Sequence, residues 1–267
     1  MNTCVLPLTL RQKKFHKGPM FSIFNKRSKG TTSIDMSGLG ADMHSHLIPG
    51  VDDGAEDVDM SIRLIKGMHE LGFRKLITTP HVMWEMYKNN TETILNGYRL
   101  VQERLEKENI PVKFSAAAEY YMDDYFDDQL EKDTPLLTIK DNMVLVEFSF
   151  IREPVEVKEL LFKLQIKGYQ PIIAHPERYL YFGAHKNWYD EMKEAGCLFQ
   201  LNLLSLCGYY GKKQEELSQY LIKKKYVELL GSDLHNSRHL EILKVSHEIM
   251  DNIRSLLDAG VLQNPFL

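Results

Sequence analysis

Nine imidazole and carboxylate side chains sit at the ends of short apolar runs, and together their types suit one job, the holding of metal cations. The densest stretch is Asp42-Met43-His44-Ser45-His46, followed closely by Val51-Asp52-Asp53-Gly54. Residues two apart on a strand project to the same side, so His44 and His46 can reach one ion, and Asp53 can offer a carboxylate from the loop beyond. Similar ends recur downstream: Thr79-Pro80-His81, Ala118-Glu119-Tyr120-Tyr121, Val146-Glu147-Phe148-Ser149, Ala174-His175-Pro176-Glu177-Arg178 and Ser232-Asp233-Leu234-His235-Asn236. A carboxylate that closes a run such as Met-Val-Leu-Val-Glu is costly to bury alone. A cation is the compensation this pattern calls for.

The nine groups are His44, His46, Asp53, His81, Glu119, Glu147, His175, Asp233 and His235. They exceed what one ion takes, and two or three ions sharing bridging carboxylates would use them all. Imidazole with carboxylate and no thiolate favours manganese, iron or zinc over a structural cysteine-type zinc site, with magnesium also open. His16, His69, His185, His239 and His247 fall in tail, helix or loop contexts and read as structural or solvated.

The elements that must position these groups follow from periodicity. Strand-like runs cover 41–44, 75–79, 113–119, 143–148, 170–175, 198–202 and 227–232. Amphipathic stretches with helical spacing cover 57–71, 91–108, 155–167, 188–195, 212–225 and 240–257. Gly72, Gly168 and Gly196 fall where helices should stop. Seven strands alternating with helices indicate an α/β fold with a parallel sheet, most simply a closed or nearly closed barrel of about seven βα units. The carboxyl ends of barrel strands converge on one face, where sites are built. Only the sixth strand, ending near Asn202, lacks an obvious ligand. No linker splits residues 41–267, so they read as one domain.

Bulk properties exclude several classes. The chain has 267 residues, 43% hydrophobic, and carries a net charge of −4. Residues 1–40 hold seven cations, from Arg11 to Lys29, against Asp35, which leaves −10 for the rest. An acidic body argues against nucleic acid as a partner. The basic extension over 1–40 reads as a solvated, disordered tail; its functional alternative is a weak contact of residues 11–29 with an acidic membrane surface or partner. Met20 would also serve as a start. No apolar run is long enough for a transmembrane helix. Three cysteines form no disulfide framework and suit a reducing cytoplasm. Six residues after Cys4, Cys197 and Cys207 stand Leu10, Leu203 and Lys213, so the cysteine–arginine pair of thiol phosphatases is missing.

With these motifs assembled, the chain resembles the PHP (polymerase and histidinol phosphatase) superfamily of metal-dependent phosphoesterases. More narrowly it resembles the protein-tyrosine phosphatases of bacterial capsule and exopolysaccharide clusters, the CpsB/YwqE type. The resemblance spans residues 42 to about 240. It implies a distorted seven-stranded (β/α)7 barrel, the PHP fold, around a trinuclear site usually assigned to manganese. His44, His46, Glu119 and Asp233 would hold one ion; Glu119 would bridge to a second, held also by Glu147 and His175; Asp53, His81 and His235 would hold the third. It further implies two phosphate-binding arginines, Arg178 in the His-Pro-Glu-Arg motif and Arg238 after a shortened spacer.

The implied activity is hydrolysis of phosphotyrosine on a protein, such as the tyrosine-rich tail of a bacterial tyrosine kinase, in control of capsule synthesis. Metal ions make a bound water nucleophilic near pH 7. The phenol that leaves has a pKa of about 10, so little help from a general acid is needed. Tyr120, Tyr121, Phe148, Phe150 and Tyr179 are candidates to line a slot for the ring, although at least three are expected simply to pack. The alternatives are a small-molecule phosphatase of histidinol-phosphate type and, in another class, a non-catalytic phosphotyrosine sensor.

Overall fold

Runs rich in Ile, Leu and Val build nine short strands in the computed structural model, which describes residues 34–267. They are β1 (Ala41–Asp42), β2 (Lys75–Thr78), β3 (His81–Val82), β4 (Lys113–Ala116), β5 (Glu119–Tyr121), β6 (Met143–Glu147), β7 (Gln170–Ala174), β8 (Leu198–Asn202) and β9 (Leu229–Gly231). Every pairing is parallel, in the orders β1-β2-β4 and β3-β5-β6-β7-β8-β9. The strand expected over 75–79 ends at Thr78 and a further strand, β3, opens at His81, while the strand expected over 113–119 is divided into β4 and β5. Pro80 has no N–H to give a ladder, so the chain bends between β2 and β3. The neighbouring strand bends with it, Ala117 N donating to Thr78 O (2.8 Å) and Glu119 N to Pro80 O (3.1 Å).

The sheet curls until its last strand meets its first. Asp233 N donates to His44 O at 2.8 Å and His46 N to Leu234 O at 3.0 Å. Below them both Asp42 carboxylate oxygens accept from Ser232, one from its N and one from its Oγ, each at 2.7 Å.

Eight helices follow: α1 (Val58–Glu70), α2 (Thr91–Lys107), α3 (Asp124–Glu131), α4 (Val157–Ile166), α5 (Asn187–Glu194), α6 (Lys212–Lys224), α7 (Ser237–Val245) and α8 (His247–Asp258). Asp57 caps α1 through Met60 N, and Asn90 with Thr93 forms a reciprocal capping box on α2. The single helix expected over 240–257 is two. The chain breaks at Ser246, whose backbone is extended (φ −87°, ψ 99°), although Leu243 and Met250, seven residues apart, keep helical spacing across the break. Helix α3 was not expected, because only Phe126 and Leu130 mark its buried face.

Apolar side chains fill two layers. Residues such as Ile62, Ile65 and Met68 of α1 pack between helices and sheet, while Met43, Ile77, Leu145, Ile172 and Leu229 form a smaller cluster inside the curl. The boundary drawn at residue 40 falls within this packing. Met36 and Leu39 are fully buried, and Met36 N donates to Leu71 O at 2.7 Å. The upstream basic residues obscure this apolar pair in the sequence. Residues 11–29 and the readings attached to them lie outside the described residues. No described helix is long and apolar enough to cross a membrane.

Candidate metal centre

Parallel strands bring their carboxyl ends to one side, above the inner apolar cluster. On β6, Leu145 joins that cluster and Glu147, two residues on, reaches the layer above. His44 and His46 follow β1, His81 opens β3, Glu119 opens β5, His175 follows β7, and Asp233 and His235 follow β9. Asp53 lies in the loop before α1. His175 (φ 33°) and Asp233 (φ 51°) take left-handed backbone, a conformation kept at functional sites at a cost of about 1–3 kcal/mol each. Gly54 is needed for close approach, since a Cβ there would lie 2.2 Å from His46 O.

All nine sequence-predicted residues meet. Ligand-type atoms converge in four overlapping groups: His46–Asp53–His81–His235, His44–His46–Asp233, His44–Glu119–His175 and His81–Glu119–Glu147. These sets share members more widely than the three expected ones, with His44, His46 and His81 each in two of them. Asp53 Oδ1 lies 3.5 Å from His81 Nε2 and 3.4 Å from His235 Nε2. His175 Nε2 lies 3.1 Å from Glu119 Oε1 and 3.6 Å from Glu147 Oε1.

Three residues that sequence reasoning missed orient this set. Asp52 Oδ2 lies 2.8 Å from His46 Nδ1, and the same carboxylate accepts from His81 N (3.1 Å) and Gly54 N (2.9 Å). Gln200 on β8, the strand without a ligand, places Oε1 2.9 Å from His44 Nδ1. Asn202 Nδ2 donates to Asp233 Oδ2 at 2.8 Å. Acceptors at both Nδ1 atoms fix the protons there and leave the Nε2 lone pairs of His44 and His46 facing each other at 3.3 Å. Two lone pairs repel at that distance unless a cation or proton lies between them. Two donors on one ion, each about 2.1 Å away, stand roughly 3–3.5 Å apart. Glu119 Oε2 has no hydrogen-bond partner, although His81 Nδ1, His44 Nε2 and His46 Nε2 surround it at 3.1, 3.3 and 3.5 Å. The donor set therefore fits divalent cations.

Electrostatics agree. Burial opposes charge throughout the cluster, yet the imidazoles of His44 and His81 hold the Glu119 carboxyl well below the usual range. His235 and His44, with Arg178, do the same for Asp233. Burial and the Glu119 charge push Glu147 the other way, to about 8. Burial and the nearby Arg178 lower His175 to about 4. A hydrogen bond with His235 holds the half-exposed Asp53 at about 2. Among the described residues, Cys197 and Cys207 stand outside the cluster, and burial pushes the Cys197 thiol up to about 11.

Arg178 leaves a 3-10 turn at Pro176–Arg178 and donates through Nη1 to Asp233 Oδ2 at 2.9 Å. It does not bond to Glu177, whose Oε1 accepts from Ser205 Oγ (2.6 Å) and Asn202 N (3.1 Å). Arg238, in the first turn of α7, is exposed. Both arginines line a cavity of about 690 Å³ beside Tyr87, Phe150, Tyr209, Tyr210 and several ligand-type residues. Of the five aromatics considered for a ring slot, Tyr120, Phe148 and Tyr179 are buried in the core, and only Phe150 lines this cavity. Guanidinium groups above a bed of ligand-type atoms suit an anion with several oxygens.

Residues 40–253 match the family described as capsular polysaccharide synthesis, CpsB/CapC. The tyrosine-protein phosphatase YwqE of Bacillus subtilis (strain 168) is 33% identical over 196 residues, covering 73% of this chain and 77% of that protein. The tyrosine-protein phosphatase CpsB of Streptococcus pneumoniae is 27% identical over 201 residues, covering 73% and 82%. Solved structures of YwqE from B. subtilis and CpsB from S. pneumoniae, described as unique metal-dependent tyrosine phosphatases, include one that matches this fold with a TM-score of 0.73 at 29% identity, covering 85% of this chain and 90% of that one. The matched span runs from before β1 into α8 and holds all nine convergent side chains, and by it this chain belongs to the CpsB/CapC family of capsular polysaccharide synthesis.

Proposed function

We propose that this chain is a metal-dependent protein-tyrosine phosphatase that regulates capsule or exopolysaccharide synthesis, acting in the cytoplasm on a bacterial tyrosine kinase. The observation that carries the reading is the pair of Nε2 lone pairs on His44 and His46, 3.3 Å apart, beside the unpartnered Glu119 Oε2. Relatives named tyrosine-protein phosphatase support it. In this reading the curled sheet is a distorted seven-position βα barrel.

Manganese is the proposed metal. His44, His46, Glu119 and Asp233 would hold one ion, Glu119, Glu147 and His175 a second, and Asp53, His81 and His235 a third. Bound ions supply a nucleophilic oxygen at neutral pH and neutralise charge on the phosphate. The rest falls to the chain. Asp52 and Gln200 keep the Nδ1 protons of His46 and His44, so that the opposite nitrogens stay available. Arg178 and Arg238 bind the phosphate oxygens, a planar fork matching them better than an ammonium would. The leaving phenolate, with a pKa of about 10, departs without a dedicated acid.

Turnover of a phosphotyrosine peptide and of histidinol phosphate, compared with Mn²⁺ present, tests the proposal. The peptide is expected to turn over faster, and chelation to abolish its turnover. Equal or faster hydrolysis of the alkyl phosphate would replace this reading with a small-molecule phosphatase. Retained hydrolysis in a folded His44→Ala/His46→Ala variant would remove metal catalysis.

A further inference from the structure

The strand that carries no ligand, β8, is followed by a 3-10 turn over Leu203–Cys207 and then by a distinctive second turn, Gly208-Tyr209-Tyr210-Gly211. Gly211 takes φ +121°, which side-chain-bearing residues rarely adopt. The turn sets its two tyrosines edge to face, with ring centroids 5.0 Å apart. Each ring lies under one of the two cavity arginines. The Arg178 guanidinium carbon is 4.2 Å from the Tyr210 centroid and Arg238's is 5.7 Å from the Tyr209 centroid.

Arg178 is also covered from a second side. Phe150, in the loop after β6, places its ring centroid 4.4 Å from the same guanidinium carbon and packs against His175 at 5.5 Å. The guanidinium thus has an aromatic ring against it twice and a carboxylate, Asp233, at one edge. Asn202 touches both ends of this arrangement, at 2.8 Å from Asp233 Oδ2 and 3.4 Å from the Tyr210 hydroxyl. Aromatic faces attract a cation and restrict its rotation, and the donors not used by Asp233 stay free for an anion.

We infer that Tyr210 and Phe150 are positioning residues that hold Arg178 for a phosphate group, and that Tyr209 gives looser support of the same kind to Arg238. The inference rests on the reading of the cavity as a phosphate site. Beyond Gln200 and Asn202, it gives the segment that follows the ligand-free strand a task, the support of the arginines.

Calorimetric titration of the metal-loaded protein with inorganic phosphate tests this without any turnover. Phe150→Leu and Tyr210→Leu are each expected to weaken phosphate binding about 3- to 10-fold, the range for one partly desolvated cation–π contact. Tyr210→Phe, which keeps the ring, is expected to stay within about twofold of the unaltered chain. In an Arg178→Ala background Phe150→Leu should cost nothing further, because its effect passes through the lost side chain. Phe150 is half exposed, so Phe150→Leu answers even if Tyr210→Leu fails to fold. Unchanged phosphate affinity in Phe150→Leu, or the same loss with Arg178 already removed, overturns the inference. Phosphate binding that follows the expected pattern in a protein inert towards phosphotyrosine would sink the phosphatase reading and leave this one standing; no phosphate binding at all would sink both.

Discussion

Asp233 divides its two oxygens between two neighbourhoods: Oδ2 accepts from Arg178 Nη1 at 2.9 Å, and Oδ1 faces His46 Nε2 at 3.3 Å and His44 Nε2 at 3.5 Å. One carboxylate therefore links the arginine at the cavity to the bed of imidazoles. The left-handed backbone at Asp233 and its bond from Asn202 fix that bridge.

Replacing Arg178 tests the arginine side of this link. Arg178→Ala is expected to lower kcat/KM on a phosphotyrosine peptide about 10²–10³-fold, the usual loss for a preorganised charge at a reacting group. Arg178→Lys should recover little of it, because an ammonium cannot serve Asp233 and an anion with one planar fork. Steady-state rates at saturating Mn²⁺ decide the matter, and a fully active lysine variant would contradict the role.

Asp52→Asn tests the support behind His46. The carboxylate takes the Nδ1 proton of His46 and two backbone N–H groups. An amide keeps the shape but loses the charge and turns one acceptor into a donor. Metal affinity, measured by competition with a chelator, is expected to fall about 10- to 100-fold, as for other partners of ligating histidines. Unchanged affinity would make Asp52 a loop brace only.

That residue also shows where the sequence stops being legible. Asp52 and Asp53 are neighbours of one type in one motif, yet the loop buries the first side chain completely and leaves the second 55% exposed. Spacing cannot separate them; the path of the chain does. Gln200 escaped notice for a related reason, since a neutral amide in an apolar run signals nothing until His44 is seen 2.9 Å away. The ligand-type residues were legible because residue type states their chemistry and parallel strands must end together. The bend at Pro80 and the break between α7 and α8 at Ser246 are local turns of the backbone. Periodicity read over long windows averages both away.

Glu177 carries a prediction about pH. Burial pushes its carboxyl up to about 7, against the bonds from Ser205 and Asn202. A carboxyl raised in the folded chain keeps its proton there while the unfolded chain, at about 4.3, has lost it. Stability is then full below about pH 4 and declines as pH rises towards 7. Glu177→Gln has no such proton to lose. Relative to the unaltered chain, its melting temperature should improve steadily between about pH 5 and 7.5. A constant difference across that range would mean that Glu177 ionises normally.

Removing metal should cost stability, and more of it as pH rises. Asp52, Asp53, Glu119, Glu147 and Asp233 crowd one cavity, and without a cation protons on nearby imidazoles, together with Arg178 at Asp233, offset them. Burial disfavours those protons, yet the surrounding carboxylates leave His44, His46 and His81 raised above their ordinary value. For a raised histidine the stabilisation is complete below the unfolded value, about 6.5, and is lost as pH climbs through the folded one. Protons thus stand in for the metal at pH 6 and do so less at pH 8. Mn²⁺ at 100 times its dissociation constant adds about 2.7 kcal/mol per independent site, roughly 5–10 °C in melting temperature for a domain of this size. The melting gap between metal-loaded and chelated protein should accordingly widen from pH 6 to pH 8, since metal binding also strengthens as its ligands lose protons. Scanning calorimetry at both pH values reads it directly. A gap that narrows or stays constant would mean that these imidazoles and carboxylates are not where the cation binds.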